Sequence, residues 1–380
     1  MSGARPRVLM PVFNPIDYDG RVQRAAEAVA TEYDVTVLSV DAGGTFRDPR
    51  YQVKTVVVPR SKVGRHLAFL RALLAEARRL RPAVVHAHDF FMATPGWLAA
   101  RSVGAKLVYD AHELMIPEEE RPQTRHERFW YLTERAVVRR ADLLIAANPE
   151  RAAEMRRHYG LKRDPLPIRN ITPAPSANGA GLSAEYPALT AGGPDAVRLI
   201  YQGDMSMERG IGNYVSAMSR LPAHFHLILA GGGPDLEALK TLAATEGVAG
   251  RVHFLGRVPR ADLHAVMQAA HIGIITYPNV GMNFRFCAPN KLYEYPQAGL
   301  PMLGSDNPVL RNAFGAHAVG VVSTDPAEGA LKLAADLPRY RAALPAFVAA
   351  HRWEDEAARL LAAYRALLSK YESTGYEVRK

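Results

Sequence analysis

The chain has 380 residues, enough for two cores of ordinary size, and its 48% hydrophobic and 22% charged residues set aside a disordered or fibrous chain. A single cysteine, Cys287, excludes an internal disulfide and a cysteine-built zinc site. The formal charge of +9 asks for an anionic partner, but no nucleic-acid motif occurs and the aromatics are not interleaved with basic residues, which leaves membrane surfaces and anionic small molecules.

Residues 1–7 are polar and basic and the apolar run behind them is short, which reads as a first strand and not as a signal peptide. No stretch approaches the roughly 20 apolar residues that span a bilayer, so a soluble, cytoplasmic protein is expected. Arg7-Val8-Leu9-Met10-Pro11-Val12 has the pattern of a buried strand, 14–20 is a polar loop, and the Ala-rich stretch 22–33 has helical spacing. Strands follow at 34–40 and 51–58. The stretch from Arg65 to Leu80 is basic on one side and apolar on the other. It reads either as a surface helix with its core stripe or as a helix resting on a membrane. Ala83-Val84-Val85-His86-Ala87-His88 is a fourth strand ending at Asp89. A helix at 96–103, a strand at 106–110, a helix at 124–140, a strand at 142–147 and a helix at 149–159 complete the first series.

From 171 to 196 the composition turns to Pro, Ala, Gly and Ser, the mark of a connection and a loop. A second series then runs: strand 197–202, helix 208–221, strand 226–230, the run Gly231-Gly232-Gly233-Pro234, helix 235–246, strand 252–255, helix 260–270 and strand 272–277. The tail 353–371 is an amphipathic helix carrying Leu360, Leu361, Tyr364 and Leu367. Alternating strands and helices imply an α/β protein with two Rossmann-like, doubly wound parallel sheets, which bind ligands beyond the carboxyl ends of their strands. The expected domains are 1–170, a linker and loop at 171–195, a second domain at 196–352, and a terminal helix at 353–380.

Cys287-Ala-Pro-Asn-Lys-Leu-Tyr-Glu leads into a short helix over 290–298, with Pro289 at its start, Pro296 inside it and Gly299 to end it. A helix start beside Lys291 suits phosphate, and Glu294, one turn on, suits ribose hydroxyls. The same residues also fit an ordinary surface helix with a Lys–Glu pair.

Five stretches taken together carry a resemblance. They are Asp19-Gly20-Arg21-Val22, His86-Ala87-His88-Asp89, Tyr109-Asp110-Ala111-His112-Glu113, Tyr201-Gln202-Gly203 with Arg209-Gly210, and the stretch from Cys287. Ala230-Gly231-Gly232-Gly233 and Gly256-Arg257-Val258-Pro259 add to it. In this order, over nearly the whole chain, they resemble the retaining GT-B glycosyltransferases of family four, the group 1 glycosyltransferases. The resemblance implies two Rossmann-like domains facing a cleft, with the terminal helix packing back toward the first domain.

It also implies roles. His88 matches a histidine by the donor sugar, acting through its imidazole or its backbone, whereas His86, two positions deeper, reads as structural. Arg209 matches the phosphate-binding basic residue, and Lys291 joins it, so His88, Arg209 and Lys291 form the catalytic set. Donor binding falls on Gly203, Arg209, Gly256, Arg257, Val258, Pro289, Asn290, Lys291, Leu292 and Glu294. Asp19, Gly20, Asp89, His112, Glu113, Asn283 and Arg285 are placed near the acceptor or the sugar. Two departures stand out. Asp204 occupies a position where the family often has arginine, and Phe286 the position of the first of two glutamates that normally contacts the donor sugar.

The implied reaction moves a sugar from a nucleotide-diphosphate sugar to an acceptor hydroxyl with retention. Arg209, Lys291 and the helix start would stabilise the departing diphosphate. No Asp-x-Asp metal motif occurs, so neither metal nor cofactor is expected. The expected partners are the nucleotide sugar and a small-molecule, glycan or lipid-linked acceptor, with no nucleic acid. A peripheral membrane contact would run through the 65–80 helix. A sugar-nucleotide epimerase or hydrolase, or a non-catalytic nucleotide-sugar-binding subunit, stands as the alternative.

Overall fold

The computed structural model describes residues 5–44, 46–118, 123–173 and 185–372. The chain forms two compact units, Met1–Asn170 with Glu354–Lys380, and Ile171–Trp353. Much of the Pro/Ala/Gly/Ser connection, 174–184, lies outside the described residues.

The first unit holds β1 (Arg7–Pro11), β2 (Asp34–Val40), β3 (Gln52–Val56), β4 (Val84–His88), β5 (Lys106–Ala111), β6 (Leu143–Ala146) and β7 (Leu166–Pro167) in one parallel sheet ordered β3-β2-β1-β4-β5-β6-β7. Strand order reverses at the β1/β4 boundary, the place where such sheets present ligands. β1 and β4 are nearly continuous apolar runs and are buried throughout except at Arg7, as a sheet covered on both faces requires.

The second unit repeats the plan with β8 (Val197–Gln202), β9 (Phe225–Ala230), β10 (Val252–Gly256), β11 (Ile272–Ile275), β12 (Met302–Ser305) and β13 (Gly320–Ser323), ordered β10-β9-β8-β11-β12-β13. Its core gathers Leu199, Leu227, Leu229, Ile272, Ile274 and Leu303 from the strands, and Ile211, Val215 and Leu239 from the helices.

Several helices depart from the periodicity. The 96–103 helix begins earlier, as Phe90–Val103, because Asp89 caps it by accepting from Phe90 N at 2.8 Å. The amphipathic 65–80 helix is Lys62–Leu80, started by Ser61, whose Oγ accepts from Gly64 N at 3.1 Å. Its apolar stripe of Phe69, Leu73, Ala77 and Leu80 is buried in the first unit's own core. Val63 and Leu67, 71% and 49% exposed, are apolar residues it leaves outside. The 208–221 helix is broken. Gly210 takes a φ of +75°, so a 3-10 turn at Met207–Arg209 is followed by a separate helix at Ile211–Ala217. Beyond β12 the structure adds helices at Pro308–His317, Pro326–Ala334 and Leu337–Ala350. The terminal helix, Trp353–Glu372, sends Tyr364 into the first unit, where its ring lies 5.5 Å from that of Tyr33.

Candidate active site

Motifs far apart in sequence converge at the carboxyl ends of β8, β9 and β10. Gly203 follows β8 with φ +138°, and its N–H donates to Ala230 O at 2.9 Å. Gly231 faces it with φ +152°. A Cβ on Gly231 would come within 1.8 Å of Gly203 O, so a side chain there would drive the two loops apart. Gly231 N donates to Gly256 O at 2.7 Å, which brings the Gly256-Arg257-Val258 turn against the same floor. Arg257 is exposed and passes beside Gly232.

Two cations stand at this glycine floor. Lys291 opens the Lys291–Gln297 helix, with Nζ 5.2 Å from the centre of the Tyr201 ring. A Cβ on Gly203 would lie 3.0 Å from that Nζ. Arg209 closes its turn with the guanidinium 5.2 Å from the Tyr277 ring centre and 5.7 Å from that of Phe284. Thr276 Oγ1 donates to Arg209 O at 2.6 Å and pins the backbone beneath. Neither cation makes an ion pair among the described residues. Burial pushes Lys291 down to about 8, Glu294 opposes that shift and Arg209 adds to it. Two mutually repelling cations, one of them at an amide-rich loop and neither in an ion pair among the described residues, suit a bound polyanion. Asp204 is exposed and its charge is the least of the influences that raise Arg209.

The surroundings follow from the helix start. Pro289 is buried, Asn290 is the N-cap residue without a side-chain capping bond, and Leu292 turns into the core. The helix has seven residues, one shorter at each end than the periodicity suggests. Glu294, one turn in, accepts from Gln202 Nε2 at 2.6 Å. Asn283 and Arg285 sit on the Met282–Arg285 turn, with Phe286 at its end, and Arg285 Nε donates to Asn279 Oδ1 at 3.3 Å.

The first unit builds its own polar cluster at the carboxyl ends of β1, β4 and β5. Arg21 donates to both oxygens of Asp110, at 2.9 and 2.7 Å, and also to Ile168 O and Asn170 Oδ1, at 2.8 and 2.7 Å. Asp110 Oδ2 meanwhile faces His88 Nδ1 at 3.4 Å and His112 Nε2 at 3.5 Å. Asp19 caps the Gly20–Ala30 helix, accepting from Val22 N at 3.2 Å. Asp89 holds a φ of +67°, a costly conformation for a residue with a side chain.

Charge is distributed unevenly within this cluster. Burial would raise Asp110, but Arg21 and then His112 hold it well below the usual carboxylate range. Burial disfavours a charge on His112, yet Asp110 outweighs it and the pKa rises. Burial lowers His88 despite Asp110, and raises Asp89 to about 6. His88 is 0% exposed and stacks on His86 at 4.1 Å between ring centres. His112 retains 16% side-chain exposure and lies outside it. The accessible imidazole is therefore that of His112, and His88 supports it from beneath. Glu113 is exposed and pairs with Arg151 at 3.3 Å.

His86, His88 and Asp110 offer ligand atoms within 4.8 Å of one another. Arg21 already grips both Asp110 oxygens, and Tyr364 Oη lies 2.8 Å from His86 Nδ1, so a metal ion would have to displace these partners. The expected residues thus fall into two sets, one on each unit. Sequence reasoning passed over Arg21, Asp110 and Gln202 as site residues although each lies in a motif, and over Tyr277 and Phe284, whose role appears only when they flank Arg209.

Residues 21–168 match the model of Glycosyltransferase Family 4, and residues 196–363 that of Glycosyl transferases group 1. A D-inositol 3-phosphate glycosyltransferase of Geodermatophilus obscurus is 29% identical over 332 residues, covering 79% of this chain and 70% of that protein. Its counterpart in Xylanimonas cellulosilytica is 28% identical, covering 79% and 76%. Among solved structures, sucrose-phosphate synthase of Thermosynechococcus elongatus aligns with a TM-score of 0.74 at 18% identity, covering 96% of this chain and all of that one (100%). Anabaena HepE in complex with UDP and glucose aligns with a TM-score of 0.70 at 15% identity, covering 97% and 100%. At such identities the solved structures speak for the fold.

Proposed function

Given that this chain belongs to the family-four glycosyltransferases and has the GT-B fold, we propose that it moves a sugar from a nucleotide-diphosphate sugar to an acceptor hydroxyl or other nucleophile, with retention of anomeric configuration. The observation that carries this reading is Lys291 at the Gly203 loop with Arg209 near enough to repel it, two cations without an ion pair among the described residues. A diphosphate gains negative charge as its bond to the sugar breaks, and fixed cations and amide dipoles lower that barrier without reorganising. The electrostatic work falls on the protein's own side chains, so the reaction runs without a metal ion. Glu294 takes the ribose.

The acceptor is held by the first unit. Asp89, raised to about 6, supplies a group that exchanges protons near neutral pH, and the accessible His112, whose pKa Asp110 raises, adds a second titratable group. The relatives named for D-inositol 3-phosphate put polyol phosphates among the acceptors to try, beside glycans and lipid-linked sugars. We place the reaction in the cytoplasm. A membrane contact at its inner face would rest on Val63, Leu67 and the neighbouring cations of the Lys62–Leu80 helix.

The test is transfer of labelled sugar across a donor and acceptor panel, with chelator present, by wild type, Arg209→Ala and Glu294→Ala. Both variants are expected to lose transfer while remaining folded. Wild-type turnover in both would sink the assignment. Phe286 favours a second reading, a subunit that binds the nucleotide sugar without transferring it. Donor binding without transfer or hydrolysis over the whole panel supports that reading, and a rearranged sugar nucleotide formed without acceptor supports an epimerase.

A further inference from the structure

We propose that Tyr277 and Phe284 form an aromatic clamp that positions Arg209 for the diphosphate, doing with two rings what a carboxylate would otherwise do. The proposal rests on the nucleotide-sugar reading above and adds the residues that hold its arginine.

Arg209 ends the Met207–Arg209 turn, and its side chain is half-buried. A long flexible side chain loses rotamer freedom when it is fixed, so an ordered arginine needs partners. Among the described residues Arg209 makes no ion pair. Its guanidinium lies 5.2 Å from the centre of the Tyr277 ring and 5.7 Å from that of Phe284. The two rings stand at 71° to each other with centres 5.9 Å apart, so they meet the arginine from different directions. Tyr277 also takes a side-chain hydrogen bond from it.

The backbone beneath both rings is tied from one short segment. Ser305, the last residue of β12, accepts at Oγ from Tyr277 N at 2.9 Å and donates to Tyr277 O at 2.7 Å. Asn307, two residues on, is 0% exposed. Its Nδ2 donates to Phe284 O at 2.5 Å, and its Oδ1 accepts from Val309 N at 3.0 Å. Thr276 holds the Arg209 carbonyl, as described above. Each ring and the arginine backbone are thus fixed by polar bonds of their own, apart from any contact with the guanidinium.

The consequence is electrostatic. A carboxylate beside Arg209 would hold it but also cancel its charge, and phosphate would have to compete with it. An aromatic ring attracts a cation through its negative face and carries no net charge. The guanidinium is therefore held in place with its full charge, and its planar fork is left to bond phosphate oxygens in pairs. The other cation of the site is held in a related way. Lys291 Nζ lies 5.2 Å from the Tyr201 ring centre, and Tyr201 is fixed by donating from Oη to Asp204 O at 3.1 Å. Charge fixed in advance is the kind that stabilises a leaving diphosphate.

Calorimetric titration of the full-length protein with UDP, GDP and ADP tests the clamp, with thermal melting of each variant alongside to show that it is folded. For whichever base binds, Phe284→Leu, which removes the ring and keeps an apolar side chain, should weaken the diphosphate about three- to tenfold. Phe284→Tyr restores a ring and should recover most of that loss. Tyr277→Leu gives an independent measure should Phe284→Leu fail to fold. In an Arg209→Gln background there is no cation to hold, so Phe284→Leu should cost no further affinity. Wild-type affinity in both leucine variants overturns the clamp while leaving the nucleotide site standing. A loss from Phe284→Leu that is as large in Arg209→Gln as in wild type also overturns it, because the ring would then act on the fold and not on the arginine. If none of the three diphosphates binds the wild type, the nucleotide-sugar reading falls, and the clamp with it.

Discussion

Arg21 holds both carboxylate oxygens of Asp110, at 2.9 and 2.7 Å, joining the first turn of one helix to a strand 89 residues away. The side chains are 10% and 4% exposed, so neither charge has water to fall back on. Removing one partner of such a pair strands the other. Asp110→Ala should therefore cost the first unit about 3–5 kcal/mol, while nucleotide affinity, which the proposed function assigns to the second unit, stays unchanged. Urea unfolding with nucleotide titration of the same sample checks both halves. A loss under about 1 kcal/mol would mean that the pair behaves as an exposed one.

If Lys291 holds the diphosphate as proposed, it makes nucleotide binding depend on pH. Burial holds it at about 8, and only the protonated amine can pair with phosphate. Diphosphate affinity should fall as pH rises through about 8, and binding above that point should take up a proton, visible in calorimetry as a heat that depends on the buffer. Lys291→Arg keeps its charge over the whole range, so its profile should be flat. A flat wild-type profile contradicts the assignment.

Glu134 is a buried carboxyl that receives two hydroxyls, Tyr109 Oη at 2.5 Å and Tyr159 Oη at 2.6 Å. Burial pushes it up to about 7 even so, from an ordinary value of 4.5. The folded state keeps its proton over a range where the unfolded chain has lost it. Its contribution to stability is thus full below pH 4.5 and declines as pH rises to about 7, by on the order of 3 kcal/mol. Glu134→Gln cannot titrate, so its stability should lack that decline. Denaturant midpoints of both proteins at pH 5 and pH 8 measure the difference.

Gly273 in β11 lets the Tyr295 ring lie flat on the strand, where a Cβ would come within 2.5 Å of it. Tyr295 Oη in turn donates to Ile200 O at 3.3 Å and receives the Gln202 N–H. Gly273→Ala should overpack this contact at a cost of about 1–3 kcal/mol. It should also loosen the helix that carries Lys291 and Glu294, raising the Kd for nucleotide. Thermal melting and nucleotide titration report the two effects separately. A variant as stable as wild type would show that Tyr295 has room to move.

Much of the candidate site on the second unit was legible because its residues sit in short motifs with fixed local geometry. Gly203, Gly256, Lys291 and Glu294 lie where a strand end or a helix start must put them. The partners of those residues were not legible. Tyr277 and Phe284 flank Arg209 from 68 and 75 positions away, and nothing in either sequence neighbourhood announces an arginine. The 208–221 stretch misled for the opposite reason. Its apolar spacing is helical throughout, and one left-handed glycine, Gly210, divides it.

The sequence alone determined the alternation of strand and helix, the two-fold repetition of that plan and the glycine-rich loops, because periodicity and backbone freedom are local properties. Only the tertiary structure decided which charges are paired. It joined Arg21 to Asp110, left Arg209 and Lys291 without an ion pair among the described residues, and set His88 beneath His112. Pairing depends on distances between residues remote in the chain and on how completely water is removed from them. Both quantities come into being only when the sheets close over their cores.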